Sequence, residues 1–412
     1  MTKFSFPKKF IYLVLPAAIL FDSCSKTNVS SIPGVIGSGS VQLHGMGLNP
    51  MTPDQYANIP VFSPELFGAR PEGLSVSGAL PSSYLLTTPG IRDQGQTGAC
   101  TSFAGSEADE IINYYKDVPS APTPSITVAN AISTVLANKF VDPTSYFGVD
   151  GELAPNFIYY VERCVIEGYK ITQDPGATMV DIGETLQGLS NNTGTGKALT
   201  LSGVTYKGQC TEDLYPYPWV DGTGSSAGYN VATIKAAGFK TPPSSSAVSD
   251  AVNFTLGAQS GSTTPTGTTT AHGYYTIPGT GDTVEVNYCK TAIANNKPVM
   301  MGFEIYDNSS YTIFEGLSTT SYIYNQLVAK TTKGVTTYVL NTKLTLLGGH
   351  ANVLVGYVND GTASTSATGG GYFVVQNSWG IPWGNNGYYL MPYSVLRNSS
   401  IVGSGNLYVA IL

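Results

Sequence analysis

The sequence predicts an α+β protein, mainly helical in its first half and β-rich in its second. Apolar residues recur at three and four positions in segments between residues 100 and 189, which is the period of a helix packed on a core. After Lys297 they come instead as short continuous runs, which is how strands buried on both faces read. Helical signals followed by strand signals read as α+β.

Along the chain, Lys3, Lys8 and Lys9 precede an apolar run from Phe10 to Phe21, followed by Asp22-Ser23-Cys24. That run suits a signal segment and is shorter than the roughly 20 residues needed to span a bilayer. Cys24 after a small residue resembles the lipobox of bacterial lipoproteins, which would make residues 1–24 a signal peptide and Cys24 the lipidated residue. A plain secretory signal with an incidental cysteine is the alternative. Either way the chain is expected to be exported; on the lipobox reading it is a lipoprotein of the bacterial outer membrane or cell surface, or of the periplasm, held to the membrane by its N-terminal lipid. Residues 25–79 are rich in Gly, Pro, Ser and Asn and read as a tether or short N-terminal segment.

From Leu80 the texture changes. Phe103, Ala104, Ala108, Ile111, Ile112 and Tyr115 lie at helical spacing, with Glu107, Asp109 and Glu110 on the opposite side, so a helix is expected with Cys100 at its N-terminus. Further helices are expected over Pro155 to Cys164 and Asp181 to Leu189. Between about 190 and 285 the chain is rich in Thr, Ser and Gly and reads as long surface insertions or an added β-rich patch. Buried strands are expected at Pro298 to Tyr306, Val353 to Tyr357 and Tyr372 to Gln376. The last two flank a run of turn formers from Asn359, and an antiparallel hairpin with Val353 facing Val374 would set His350 opposite Asn377.

Composition removes several function classes. Charged residues make up 11% of the chain, 20 basic against 27 acidic, with a net charge of −7. Without a basic face, nucleic acid is not an expected partner. With 42% hydrophobic residues the chain is not expected to be disordered. Five cysteines are too few for a disulfide framework in a chain this long, and three widely spaced histidines with no CxxC or HExxH give no metal site and imply no cofactor.

The remaining chemistry is nucleophilic. A thiolate is the reactive form of cysteine, and a helix N-terminus together with an imidazolium lowers its pKa. Cys100 has the first by position; His350 would supply the second, with Asn377 orienting its ring. The side-chain amide of Gln94, with the Cys100 N–H, would aim two donors at a tetrahedral oxyanion.

Gln94-Gly-Gln-Thr-Gly-Ala-Cys100-Thr-Ser-Phe-Ala, Gly349-His350-Ala, and Gln376-Asn377-Ser-Trp379-Gly380 with Trp383-Gly384-Asn-Asn-Gly387-Tyr388 resemble the three signature blocks of papain-like cysteine peptidases, in the same chain order. Leu80-Pro-Ser-Ser-Tyr, Leu153-Ala-Pro-Asn-Phe-Ile-Tyr-Tyr, Cys210-Thr-Glu-Asp-Leu-Tyr-Pro-Tyr and Lys297-Pro-Val-Met-Met-Gly-Phe look like the bacterial branch of that family. The resemblance implies a two-lobed peptidase over residues 80–412. A helical lobe, about 80–285 with insertions at about 116–150 and 190–285, faces a β-barrel-like lobe over about 286–412 across a cleft. It also implies hydrolysis of protein or peptide substrates through a thioester. In that scheme Cys100 is the nucleophile, His350 the acid/base, Asn377 the orienter and Gln94 the oxyanion donor. Trp379 shields the His–Asn hydrogen bond, and Gly176 and Gly349 are substrate-binding candidates.

Three departures stand out. Thr101 replaces the usual aromatic residue after the cysteine, Thr97 stands where many members have a disulfide cysteine, and Cys100 and His350 are about 250 positions apart against about 130–150 in papain-like enzymes. Two rival readings keep the same residues: a peptide transferase passing the acyl group to an amine, and a catalytically silent surface binding or adhesion lipoprotein. Gly224-Ser-Ser-Ala-Gly228 matches a nucleophile-elbow pattern by letter but follows no apolar strand, so it reads as chance.

Overall fold

The computed structural model describes residues 44–52, 54–55, 59–64, 80–119, 123–139, 152–190, 196–217, 241–256, 273–279, 281–403 and 406–411. The signal segment with Cys24, His272 and the Gly224–Gly228 pattern lie outside the described residues.

Helix α1, Cys100–Asp117, follows the expected periodicity, and Cys100 is its first residue. The acidic side of the helix is not on the surface, however: every residue from Cys100 to Tyr115 is buried. Folded-over segments supply the missing partners. Arg92 Nη1 and Nη2 donate to the two Glu110 oxygens at 3.2 and 3.3 Å, and Leu153 N–H donates to Glu110 Oε1 at 2.7 Å. Gln209 bridges the helix, donating from Nε2 to Asp109 Oδ2 at 2.7 Å and accepting from Ser106 Oγ at 2.6 Å. Buried polar groups are tolerated on these terms, when each finds a partner.

The other helices are α2 (Ala131–Ala137), α3 (Pro155–Tyr160), α4 (Met179–Gln187), α5 (Ser245–Ala251), α6 (Thr283–Ala294) and α7 (Tyr393–Leu396). Helix α3 opens on Pro155 in its first turn, where a missing N–H costs nothing, and runs on as a π-helical segment, Val161–Ile166. The expected third helix starts two residues early, at Met179, because Asp181 Oδ2 accepts from the Thr178 N–H at 2.7 Å and fixes the first turn there.

Strands β1 (Ser83–Leu85), β4 (Gly273–Thr276), β5 (Val299–Asp307), β8 (Thr345–Asn359), β9 (Gly371–Gln376), β10 (Tyr388–Pro392) and β11 (Leu407–Ile411) form one sheet in the order β10-β9-β8-β5-β11-β4, with β1 also on β8. Hairpins β2–β3 (Leu199–Leu201, Val204–Tyr206) and β6–β7 (Leu327–Thr332, Val335–Leu340) stand apart. The sheet is open, ending on β10 and β4, so the expected barrel-like half is not a closed barrel. Strands β1 and β4 come from the stretch expected to belong to the helical half. Residues 190–285 are therefore not all surface decoration: the fully buried β4 pairs with the edge of β11.

The β8–β9 hairpin forms, but in a different register from the expected one. Val353 faces Gln376, and Val374 faces Gly356. The pairing shifts between Leu354 and Gly356, and Val355 instead gives its carbonyl to the Leu86 N–H at 2.9 Å, just past β1. A bulge of this kind cannot be read from a pattern of period two.

Helix α1 packs against β8 and β5, which brings the helix N-terminus to the middle of β8. Cys100, Ala104, Ile111, Met301, Phe303, Val353 and Leu354 share one buried core. Among the described residues, Cys100, Cys164, Cys210 and Cys289 are all buried and free, so the internal pair left open by the sequence does not form. No helix of the described residues is long and apolar enough to cross a membrane.

Candidate active site

Helix α1 and strand β8 place Cys100 and His350 together. The backbone N–H groups of Gly47 and Ala351, the residue after His350, both hydrogen-bond the Cys100 thiol. His350 faces Phe303 of β5 and is fully buried. Asn377 lies just beyond β9, not in the ladder, and its N–H donates to Gly387 O at 3.0 Å. The side chains still meet, with His350 Nε2 2.8 Å from Asn377 Oδ1. Ser378 N–H donates to the same oxygen at 2.8 Å, so Oδ1 is the acceptor and His350 Nε2 carries the proton. His350 Nδ1 has no hydrogen-bond partner.

Trp379 lies with its ring centre 4.8 Å from that of His350, and Phe314 meets both rings edge-on. This aromatic cover keeps water from the His–Asn hydrogen bond.

Gln94 is buried and held from both ends of its amide. Its Oε1 accepts from Ser378 Oγ at 2.7 Å, and its own N–H donates to Ser378 O at 2.8 Å. Its Nε2 donates to Thr97 O at 2.8 Å and to Gly45 O at 3.1 Å. Thr97 is thus tied to Gln94 directly, its hydroxyl donating to Gln94 O at 2.9 Å. The hydroxyl of Thr101 turns away to Glu162 Oε2 at 3.0 Å.

The bond to Gly45 exposes a feature the sequence did not announce: residues 44–49 run through the groove between Cys100 and its surroundings. Gly45 N–H donates to Gly95 O at 3.1 Å, Ala177 N–H to Gly47 O at 2.9 Å, Leu48 N–H to Gly349 O at 3.1 Å, and Asn49 N–H to Ala177 O at 2.8 Å. Leu48 is therefore bridged antiparallel to Gly349 on one side and parallel to Ala177 on the other. The fit depends on absent side chains. A Cβ on Gly45 would stand 2.1 Å from Thr97 O, and one on Gly47 2.0 Å from Gly98 O. Gly176, at φ +78°, would put a Cβ 2.0 Å from Gly47 O. Gly302 leaves the space that the Leu48 side chain fills, since a Cβ there would come within 2.9 Å of Leu48 Cδ2. At the other end, His44 stacks on Trp379 at 4.4 Å and its Nδ1 is 3.1 Å from Glu315 Oε2. His44, without visible partners in the sequence, has two.

Under this segment the electrostatics are those of a closed site. Burial pushes the Cys100 thiol up to about 12, opposed by the backbone N–H groups of Gly47, Ala351 and Thr101, and burial drives His350 down to about 3 despite its bond to Asn377. Desolvation disfavours the charged form of each. The helix N-terminus and the imidazolium, on which the expected thiolate rested, do not outweigh full burial, which also keeps His350 neutral.

The structure brings Cys100, His350, Asn377, Gln94, Trp379, Gly176 and Gly349 to one groove. Sequence reasoning missed Ser378, which braces Gln94 and caps Asn377, and Asn352, whose Nδ2 donates to Asn377 Oδ1 at 2.7 Å. Asn352 was findable: it follows His350 by two positions in a buried strand, where both side chains share a face.

Residues 191–405 match the model of the papain family cysteine protease, a span that holds His350, Asn377 and Trp379 but begins after Cys100. An uncharacterized peptidase C1-like protein of Acanthamoeba polyphaga mimivirus is 29% identical over 132 residues, 31% of this chain and 34% of that protein. A cysteine proteinase of Carica papaya is 41% identical over 54 residues, 13% of this chain and 52% of that protein. The chain thus spans about a third and about half of these two relatives. Among solved structures, xylellain, a cysteine protease from Xylella fastidiosa, superposes with a TM-score of 0.53 at 22% identity, covering 89% of this chain and 96% of that one. The family match extends over more than half of the chain and the fold agrees with it, so this chain belongs to the papain family of cysteine proteases.

Proposed function

We propose that the chain is an exported cysteine endopeptidase, latent while residues 44–49 occupy its groove. The observation that carries the reading is that the groove already holds a length of peptide, with one carbonyl on Gln94 Nε2 and one backbone N–H on the Cys100 sulfur. Because the segment enters and leaves the groove as a continuous chain, the groove suits an internal peptide bond rather than a chain end.

In the open state the Cys100 thiol gives its proton to His350 Nδ1, and the thiolate attacks a substrate carbonyl carbon. Gln94 Nε2 and the Cys100 N–H hold the oxyanion. The C–N bond breaks as the imidazolium returns the proton to the leaving amine, and a thioester remains on Cys100. Water, deprotonated by His350, then attacks the thioester, and the thiolate leaves with the acyl group released as a carboxylate. Asn377 keeps the imidazole on its Nε2–H tautomer throughout. Residues 1–24 serve as the export signal, and Cys24 as the site of the lipid that holds the enzyme at the membrane.

A thiol-directed epoxide peptidase inhibitor tests the reading. Covalent labelling of Cys100, abolished in His350→Ala, is expected. An unlabelled Cys100 in a chain freed of residues 44–49 would make the protein a silent binding module on the same fold. If labelling occurs but acyl groups pass to added amines in preference to water, the chain is a transferase.

A further inference from the structure

Asn377 can orient His350 only if its own carboxamide is held, since a half-turn about its last bond would present Nδ2 to the imidazole. The ring would then carry its proton on Nδ1 and could not accept one from Cys100. We propose that Asn352 is a positioning residue that, together with the Ser378 N–H on the same oxygen, prevents this; the role rests on the peptidase reading above.

Asn352 sits in β8 opposite Met301 of β5, buried, on the same face as His350. Its Nδ2 donates to Asn377 Oδ1 at 2.7 Å and to Ala351 O at 2.9 Å, and lies 3.1 Å from His350 Nε2. Its Oδ1 accepts from the Tyr389 hydroxyl at 3.0 Å. A flipped Asn352 amide would gain one bond from His350 Nε2–H but set Oδ1 against the oxygens of both Ala351 and Asn377, so the orientation with Nδ2 towards Asn377 is the favoured one. The order is therefore directional: Tyr389 donates to Asn352, Asn352 donates to Asn377, and Asn377 Oδ1 is committed as the acceptor for His350 Nε2–H. Asn377 Nδ2, on the far side, has no partner that would favour the flip. A buried chain of this kind rigidifies because each member fixes the next.

The test uses the full chain labelled with 15N-histidine, whose three histidines keep the spectrum assignable. In the wild type His350 is expected as the Nε2–H tautomer; an Nδ1–H ring overturns the proposal, and this readout is independent of whether the protein cleaves anything. Asn352→Leu keeps the branched outline of the side chain and removes all three hydrogen bonds. It is expected to admit the Nδ1–H tautomer and to lower kcat by about 10- to 100-fold with KM within about twofold. In an Asn377→Ala background the same change should cost less than about twofold, because Asn352 acts through Asn377. Equal losses in both backgrounds would mark a merely structural role and refute the positioning one. Tyr389→Phe, which removes one hydroxyl, provides a milder break should Asn352→Leu fold poorly, and is expected to move the tautomer ratio in the same direction. A tautomer unchanged in every folded variant overturns the proposal. An inactive wild type with the expected tautomer shift overturns only the peptidase reading.

Discussion

Gly47→Ala should open the site. The added Cβ would stand 2.0 Å from Gly98 O, and both groups are backbone, so neither can rotate away. Seating residues 44–49 makes eight hydrogen bonds to oxygen, four between backbones, one from Gln94, two between His44 and Glu315 and one from Asn49 Nδ2 to Pro175 O, worth about 1 kcal/mol each. Filling the pocket above Gly302 with Leu48 contributes about 2 kcal/mol. Ordering six residues costs about 6 to 9 kcal/mol. The seated form is thus favoured by about 1 to 4 kcal/mol on these terms, and stacking of His44 on Trp379 contributes about 1 kcal/mol more. A net preference of about 2 to 5 kcal/mol corresponds to an open fraction of roughly 0.02 to 3%. Removing the closed form should then raise the rate of Cys100 alkylation by roughly 30-fold or more at neutral pH, and further as rehydration lowers the thiol from about 12. The assay is time-resolved alkylation read by peptide mass spectrometry, with Cys164, Cys210 and Cys289 as buried internal controls. An unchanged Cys100 rate in a folded Gly47→Ala chain would refute the idea that this segment controls access.

Other expectations follow from the same contacts. Gln94→Ala should lower kcat by about 100-fold or more as an oxyanion donor is lost, while Ser378→Ala, which frees the Gln94 amide at one end, should lower it by about tenfold; steady-state kinetics on one peptide substrate separates them. Burial raises the Glu107 carboxyl from 4.5 to about 7, so the folded state binds its proton more tightly than the unfolded one. Its contribution to stability is fully present below about pH 4.5 and is lost as pH rises through about 7, on the order of 3 kcal/mol. Thermal denaturation should show Tm falling over that range, and Glu107→Gln should flatten the curve; an unchanged slope would contradict the assignment. Intact-mass analysis of the exported protein should show a chain beginning at a diacylated Cys24, and an unmodified residue there would exclude the lipid anchor.

Much of this was legible in the sequence, for physical reasons that also set its limits. Helix α1 was readable because its apolar residues recur at the helical period, but the burial of Glu107, Asp109 and Glu110 was not, since their partners Arg92, Leu153 and Gln209 come from distant segments. The β8–β9 hairpin was readable from two apolar runs around a turn; its register was not, because the bulge at Val355 depends on β1. His350 and Asn377 were brought together on paper by a register that does not occur. They meet because Asn377 leaves the ladder one residue past β9. Residues 44–49 carry no periodicity, and the property that matters, the missing Cβ at Gly45 and Gly47, reads in sequence as a loop. Strand β4 was hidden by the Thr-, Ser- and Gly-rich stretch around it.

The central claim is that Cys100 forms a thioester with its substrate. Rapid acid quench of the Gly47→Ala chain with a peptide ester, followed by digestion and mass spectrometry, is the direct measurement. The acyl group should be found on the peptide bearing Cys100, absent in Cys100→Ala and strongly depleted in His350→Ala. Turnover that persists in Cys100→Ala, or an acyl group carried by any other residue, would contradict it.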